Sequence, residues 1–177
     1  MSKRKAKAAA EGAVKKAKAS EPAEKVSPSA KCAKAVVGNI EYVHQLKADK
    51  ETNQEELQEQ IDGQVAAMNK IIKEEGMAGL KKRIRDYRRN DQIEKDGRKY
   101  IKDNLDPPGE DEDGNPLAWL HEPDMAVGGK PTDVSRKGIR RNNSIIGGQA
   151  NKIADMILAM PNDTTQINAK LTVLPAE

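Results

Sequence analysis

Guanidinium and ammonium groups are the side chains best suited to hold phosphate, and residues 81–102 concentrate them. Lys81, Lys82, Arg83, Arg85, Arg88 and Arg89 fall within nine residues, followed by Lys95, Arg98, Lys99 and Lys102. Arginine offers a planar fork that grips phosphate oxygens in pairs; lysine offers a point charge. On a helix, Lys81, Arg85, Arg88 and Arg89 share one side, with Leu80, Ile84 and Tyr87 partly on another. Ten bases stand here against four acids. That surplus predicts a polyanion contact whose affinity falls steeply with salt. The competing reading is a solvated face paired to Asp86, Asp91 and Glu94. Only Tyr87 and Tyr100 interleave the bases. The contact is therefore expected with the nucleic-acid backbone, with little sequence preference.

Two further basic clusters carry weaker signals. Arg136, Lys137, Arg140 and Arg141 stand among Gly138, Asn142, Asn143 and Ser144. They read as a second phosphate-contacting segment, or as a loop pairing with the acids at 110–113. Near the N-terminus, Lys3, Arg4 and Lys5 precede Lys15, Lys16 and Lys18. Two clusters at that spacing suit a bipartite nuclear import signal read by an import receptor, or a generic basic tail.

Catalytic chemistry finds no foothold. His44 and His121 are far apart in sequence and have no cysteine beside them, and the lone Cys32 has no visible base. The glycine pairs at 128–129 and 147–148 lack the Lys-Ser/Thr that completes a phosphate loop. Glu110, Asp111, Glu112 and Asp113 read as a nucleic-acid mimic or a solvated spacer, and no metal or cofactor is assigned. The expectation is a binding protein rather than an enzyme.

The elements that would position these groups follow from patterning. The 177 residues carry a net charge of +3 and only 2% aromatics, so a large aromatic core is excluded. The charge is segmented: ten bases against three acids in 1–34, none against eight in 103–129, six against one in 130–152. Residues 1–34 lack large apolar side chains almost entirely and read as a disordered basic tail. Over 35–75 one heptad frame places Val36, Ile40, Val43, Leu57, Ile61, Met68 and Ile71 on a single seam, and puts Lys47, Lys50, Gln54, Gln64 and Glu75 at core positions as well. This predicts a self-pairing coiled coil, or a helical hairpin that breaks near Asp49 to Asn53, with Asn53 and Glu56 forming a capping box. Gly76 and Gly79 interrupt, and a helix then runs to Leu105 before Pro107 and Pro108. Residues 35–105 thus read as a helical oligomerisation and basic-helix region. Residues 106–148 read as an irregular linker, acidic and then basic. Residues 149–177 read as a short C-terminal helical segment with Ile153, Met156, Ile157 and Met160 on one face and Pro161 as its stop. Asp163, with Gln166 three residues on, resembles a capping box for one last helical turn through Ile167 and Leu171; the alternative for Lys170 to Leu174 is a short strand or plain tail. The fold class is mainly α. No run of 18 apolar residues exists, so no membrane partner is expected.

In order and composition, import-like clusters, a charged coiled coil and Arg-rich patches, the chain resembles small viral nucleoproteins of the delta-antigen type. That resemblance implies oligomerisation through a coiled coil and RNA packaging. Here the basic clusters precede the coiled-coil segment, and an amphipathic helix replaces a Gly/Pro-rich C-terminal region. The reading that results is a self-associating nuclear nucleoprotein, with RNA favoured over DNA because no groove-reading motif is present. The alternatives are a helical adaptor that docks protein partners and a chromatin-type DNA-compacting protein.

Overall fold

Side-chain alternation governs the first element. The structure, a computed structural model, describes residues 34–176. β1 (Val37–Gln45) turns Ile40, Tyr42 and His44 inward and leaves Val37, Asn39 and Gln45 exposed. That is the period of two a half-buried strand requires. β1 pairs in parallel with β4 (Gln166–Leu174), from Val37 opposite Gln166 to Gln45 opposite Leu174.

The mainly α class is therefore corrected: the described residues are 48% helical and 23% strand, with two small sheets. The coiled-coil segment over 35–75 is corrected with it. Val36 to Val43 satisfy helical and strand spacing alike, and their pairing with a distant strand decides between them. Val36 and Val37 are exposed, Val43 is half-buried, and Ile40 is buried. Leu57, Ile61, Met68 and Ile71 do lie on one helical face, but that face packs into the chain's own core.

α1 (Gln54–Arg88) starts where capping chemistry places it. Asn53 Oδ1 accepts from Glu56 N at 3.0 Å. Glu56 does not close the box; its carboxylate serves a distant strand instead. Gly76 breaks α1 at φ 73°, ψ 171°, a left-handed backbone that glycine adopts without Cβ strain. Glu75 and Arg83 pair across this break, with Arg83 Nε 3.1 Å from Glu75 Oε2.

α2 (Gln92–Asn104) follows a turn, so the expected single helix through residue 105 is two. The segment 106–148 is not irregular. It holds β2 (Leu117–His121), antiparallel to β3 (Val134–Ile139), and α3 (Arg140–Gly147). A short 3-10 turn, Met125–Val127, lies between the strands. Leu120 is the inward residue of β2, while Trp119 faces outward and donates from Nε1 to Asp106 O at 2.8 Å. α4 (Ala150–Ala159) matches the amphipathic reading, with Ile153 and Ile157 fully buried and Met156 and Met160 packed beside them. The chain then enters β4 rather than a last helical turn. Exposed Gln166 and Asn168 alternate with buried Ile167.

α1 stands between the two sheets and grips both through side chains that mimic backbone. Gln60 and Gln64 are 1% and 2% exposed. Gln64 donates to His121 O at 2.8 Å and accepts from Asp124 N at 2.6 Å. Glu56 Oε1 accepts from Ile139 N at 3.0 Å. On the other side, Asn69 donates to Ile167 O at 2.9 Å and accepts from Ile167 N at 2.7 Å. A buried amide left unmatched costs its desolvation. Replacing Asn69 with Leu strands both polar groups of Ile167 and should cost about 2 kcal/mol of stability. Urea unfolding of Asn69→Leu reads this as a lowered midpoint; a midpoint equal to that of the parent chain would refute the role.

Candidate nucleic-acid interface

The 81–102 bases separate into structural and available groups. Met77, Leu80 and Ile84 face the core, and Lys81 follows them inward, 6% exposed. Its Nζ donates to Met160 O and, at 2.9 Å, to Asn162 Oδ1. A cation there satisfies a carbonyl at the C-terminal end of α4 and complements its dipole. Lys81 is thus corrected from phosphate contact to helix cap. Arg83 is likewise engaged, bridging Glu75 and Gly128 O. Arg88 ties α1 to α4 through Asp155 at 2.8 Å and Asn151 O at 3.2 Å. The expected face of Lys81, Arg85, Arg88 and Arg89 therefore points partly into the fold.

The remaining bases lie outward. Lys82 pairs with Asp86, Arg98 with Glu94 and Lys99 with Asp103, each one helical turn apart and exposed. Such exposed pairs are weak and screened by salt. Arg85, Arg89 and Lys102 make no ion pair among the described residues.

The third cluster divides in the same way. Arg136 sits 3.4 Å from Glu122, and Lys137 lies over the Trp119 ring, 5.0 Å from its centre. Arg140 and Arg141 instead open α3 at the edge of a cleft of about 1210 Å³. Their placement follows from the start of α1. Glu56 holds Ile139 N, and Asn142, fully buried, donates to Asn53 O at 2.9 Å and to the Glu56 carboxylate. Arg140 N donates to Pro116 O at 2.9 Å. The first turns of α1 and α3 are thereby locked together.

Lys47 and Lys50, in the loop after β1, line the same cleft. Four cations there face two acids, Glu51 and Asp113, and none of the four forms an ion pair among the described residues. Arg141 Nε donates to Thr52 Oγ1 at 3.2 Å. His44 Nε2 lies 3.1 Å from that same oxygen. Burial, then the charges of Arg141 and Lys47, hold the His44 imidazole below its usual range.

Sequence reasoning missed this corner. Its signal was Lys47 and Lys50 at would-be coiled-coil core positions, where charges mark a chain that is not helical there. In the acidic stretch Glu110, Glu112 and Asp113 are exposed and Asp111 is half-buried. Asp111 accepts from the Asn115 side-chain amide at 2.9 Å, from Asn115 N at 2.7 Å and from Asp113 N at 3.0 Å, which builds a turn; the Asn115 amide first, and then these backbone N–H groups, hold its carboxyl below the usual range. Among the described residues, no group of three or more His, Cys, Asp or Glu is placed to hold a metal ion. No described helix is long and apolar enough to cross a membrane. The import clusters, Lys3, Arg4 and Lys5 with Lys15, Lys16 and Lys18, lie outside the described residues.

No protein family matches this chain, and no curated protein shows detectable similarity to it. The buried lysine supplies its own check. Lys81→Gln should lower stability by about 1–3 kcal/mol, because Met160 O loses its partner. The folded variant should bind polyanions as the parent does. Weakened binding at unchanged stability would return Lys81 to the interface.

Proposed function

We propose that this protein is a non-enzymatic nucleic-acid-binding protein that contacts phosphates with little sequence preference. The observation that carries the reading is the cleft beside α3. Lys47, Lys50, Arg140 and Arg141 converge there and have no carboxylate partner within hydrogen-bonding reach among the described residues. Like charges brought together cost energy, and an incoming polyanion relieves that cost. Arg85, Arg89 and Lys102 supply a second patch toward the far end of α1 and on α2. The first segment of α1 alone, Gln54 to Glu75, extends roughly 30 Å at 1.5 Å per residue. A strand reaching both patches gains avidity without a partner chain. RNA remains favoured over DNA, since the sequence carries no groove-reading motif such as a helix-turn-helix or zinc finger. The coiled-coil seam has no part in this reading, because Leu57, Ile61, Met68 and Ile71 are committed to the core.

Fluorescence anisotropy with labelled RNA and DNA across a salt series tests the reading. Two variants are compared with the parent: Lys47, Lys50, Arg140 and Arg141 changed to Gln, and Arg85, Arg89 and Lys102 changed to Gln. The parent should show a steep salt slope, and each variant a slope flatter by about one for every phosphate it no longer neutralises. Weak binding, with the same slope in all three chains, would sink the reading and favour a protein-docking role.

Lys3, Arg4, Lys5, Lys15, Lys16 and Lys18 would direct such a protein to the nucleus. Fluorescent fusions should lose nuclear accumulation when Lys15, Lys16 and Lys18 become Ala. Equal distribution of both fusions would leave these residues as a plain basic tail.

A further inference from the structure

His44 is placed oddly for a histidine without a catalytic partner. It lies on the inward side of β1, 7% exposed, yet contributes to the wall of the cationic cleft. Thr52 Oγ1 connects it to Arg141, accepting from Arg141 Nε at 3.2 Å while standing 3.1 Å from His44 Nε2. The arginine can only donate. The hydroxyl hydrogen of Thr52 is therefore free to go to His44 Nε2, provided the imidazole is neutral and carries its hydrogen on Nδ1.

Burial first, and then the charges of the two cations Arg141 and Lys47, keep the imidazole in that neutral form. Lys50 and Arg140 add positive charge around the same cleft, while Glu51 and Asp113 oppose it. Arg141 uses only its Nε on a described partner, which leaves its two terminal nitrogens for a ligand. A phosphate bound by them cancels the charge that suppresses the imidazolium.

On the reading that the cleft takes nucleic-acid phosphate, we infer that Arg141, Lys47, Thr52 and His44 form one phosphate seat, and that a phosphate bound there recruits a proton onto His44. The proton comes from solvent and enters at Nε2. The new N–H donates to Thr52 Oγ1, and Thr52 turns its own hydrogen away from the ring. The seat thus gains a positive charge beside Arg141. By linkage, phosphate favours the imidazolium by the same factor by which the imidazolium favours phosphate.

The seat is tested by NMR titration of the two histidine imidazoles in the full chain at matched ionic strength. Titrations are run without ligand, with inorganic phosphate, and with a short single-stranded RNA. His121 is the internal reference, because it ends β2 with its Nε2 3.1 Å from Pro131 O and does not line the cleft. The His44 midpoint should rise by about one pH unit with phosphate and with RNA, equivalent to about tenfold tighter binding by the imidazolium form. The His121 midpoint should stay in place. In Arg141→Gln the His44 shift should vanish. A His44 midpoint that neither ligand moves, or that moves only together with His121, overturns the seat. If RNA still binds with a steep salt slope in that case, the polyanion reading of the protein survives without it. If inorganic phosphate moves His44 and RNA does not, the seat stands and the nucleic-acid reading of the cleft falls.

Discussion

The side chains of α1 hold backbone that would otherwise have no partner. Each of the two sheets has only two strands, and a two-stranded sheet in water is marginal by itself. With four aromatic residues in the chain, bulk apolar burial cannot make up the difference easily. Glu56, Gln60 and Gln64 therefore address the β2–β3 side, and Asn69 addresses β4. Between those contacts run Leu57, Ile61 and Met68, which bury completely. The apolar side chains supply the driving force. The amides and the carboxylate select one register, because any sliding of α1 leaves several buried polar groups unmatched.

The cleft inherits its shape from the same helix. Glu56 is a cap-region residue that has been diverted: its carboxylate receives Ile139 N, Gln60 and Asn142 rather than its own helix terminus. That diversion holds the first turn of α3 against the first turn of α1. It also sets Arg140 and Arg141 opposite Lys47 and Lys50. Charge at this site is thus concentrated by the neutral and acidic groups that join the two helix starts. Elsewhere the fold uses cations as fasteners. Lys81 closes α4, Arg83 spans the Gly76 break, and Arg88 joins α1 to α4. Net charge along the sequence counts all of these alike, although only the outward groups meet solvent.

What the sequence disclosed was local. Asn53 as a cap, Gly76 as a break, Pro161 after α4 and the buried face of Ile153 and Ile157 each depend on a few neighbouring residues, and each is found in the structure. What it concealed was decided by distance. Val36, Ile40 and Val43 recur at spacings of four and three, which a helical seam fits, whereas the competing strand pattern is the alternation of Ile40, Tyr42 and His44. The strand prevails because Gln166–Leu174 is there to pair with it, at a separation of 129 residues. The cationic cleft was hidden for the same reason. Lys47 and Arg141 are nearly a hundred residues apart, and no count within a window brings them together.

The parallel union of β1 with β4 also governs the order of events during synthesis. A ribosome releases β1 early, and its partner arrives only after everything between them has been made. Until then β1 carries an unmatched row of amides and carbonyls, with Ile40 and Tyr42 uncovered. Contacts of such high order form late and slowly, and unpaired strands are the species most prone to misassociation. The helices can condense from local contacts first, so α1 is available as a template before the sheet closes. β1 thus stays the open ribbon of the nascent chain until β4, its partner 129 residues on, emerges to conceal it.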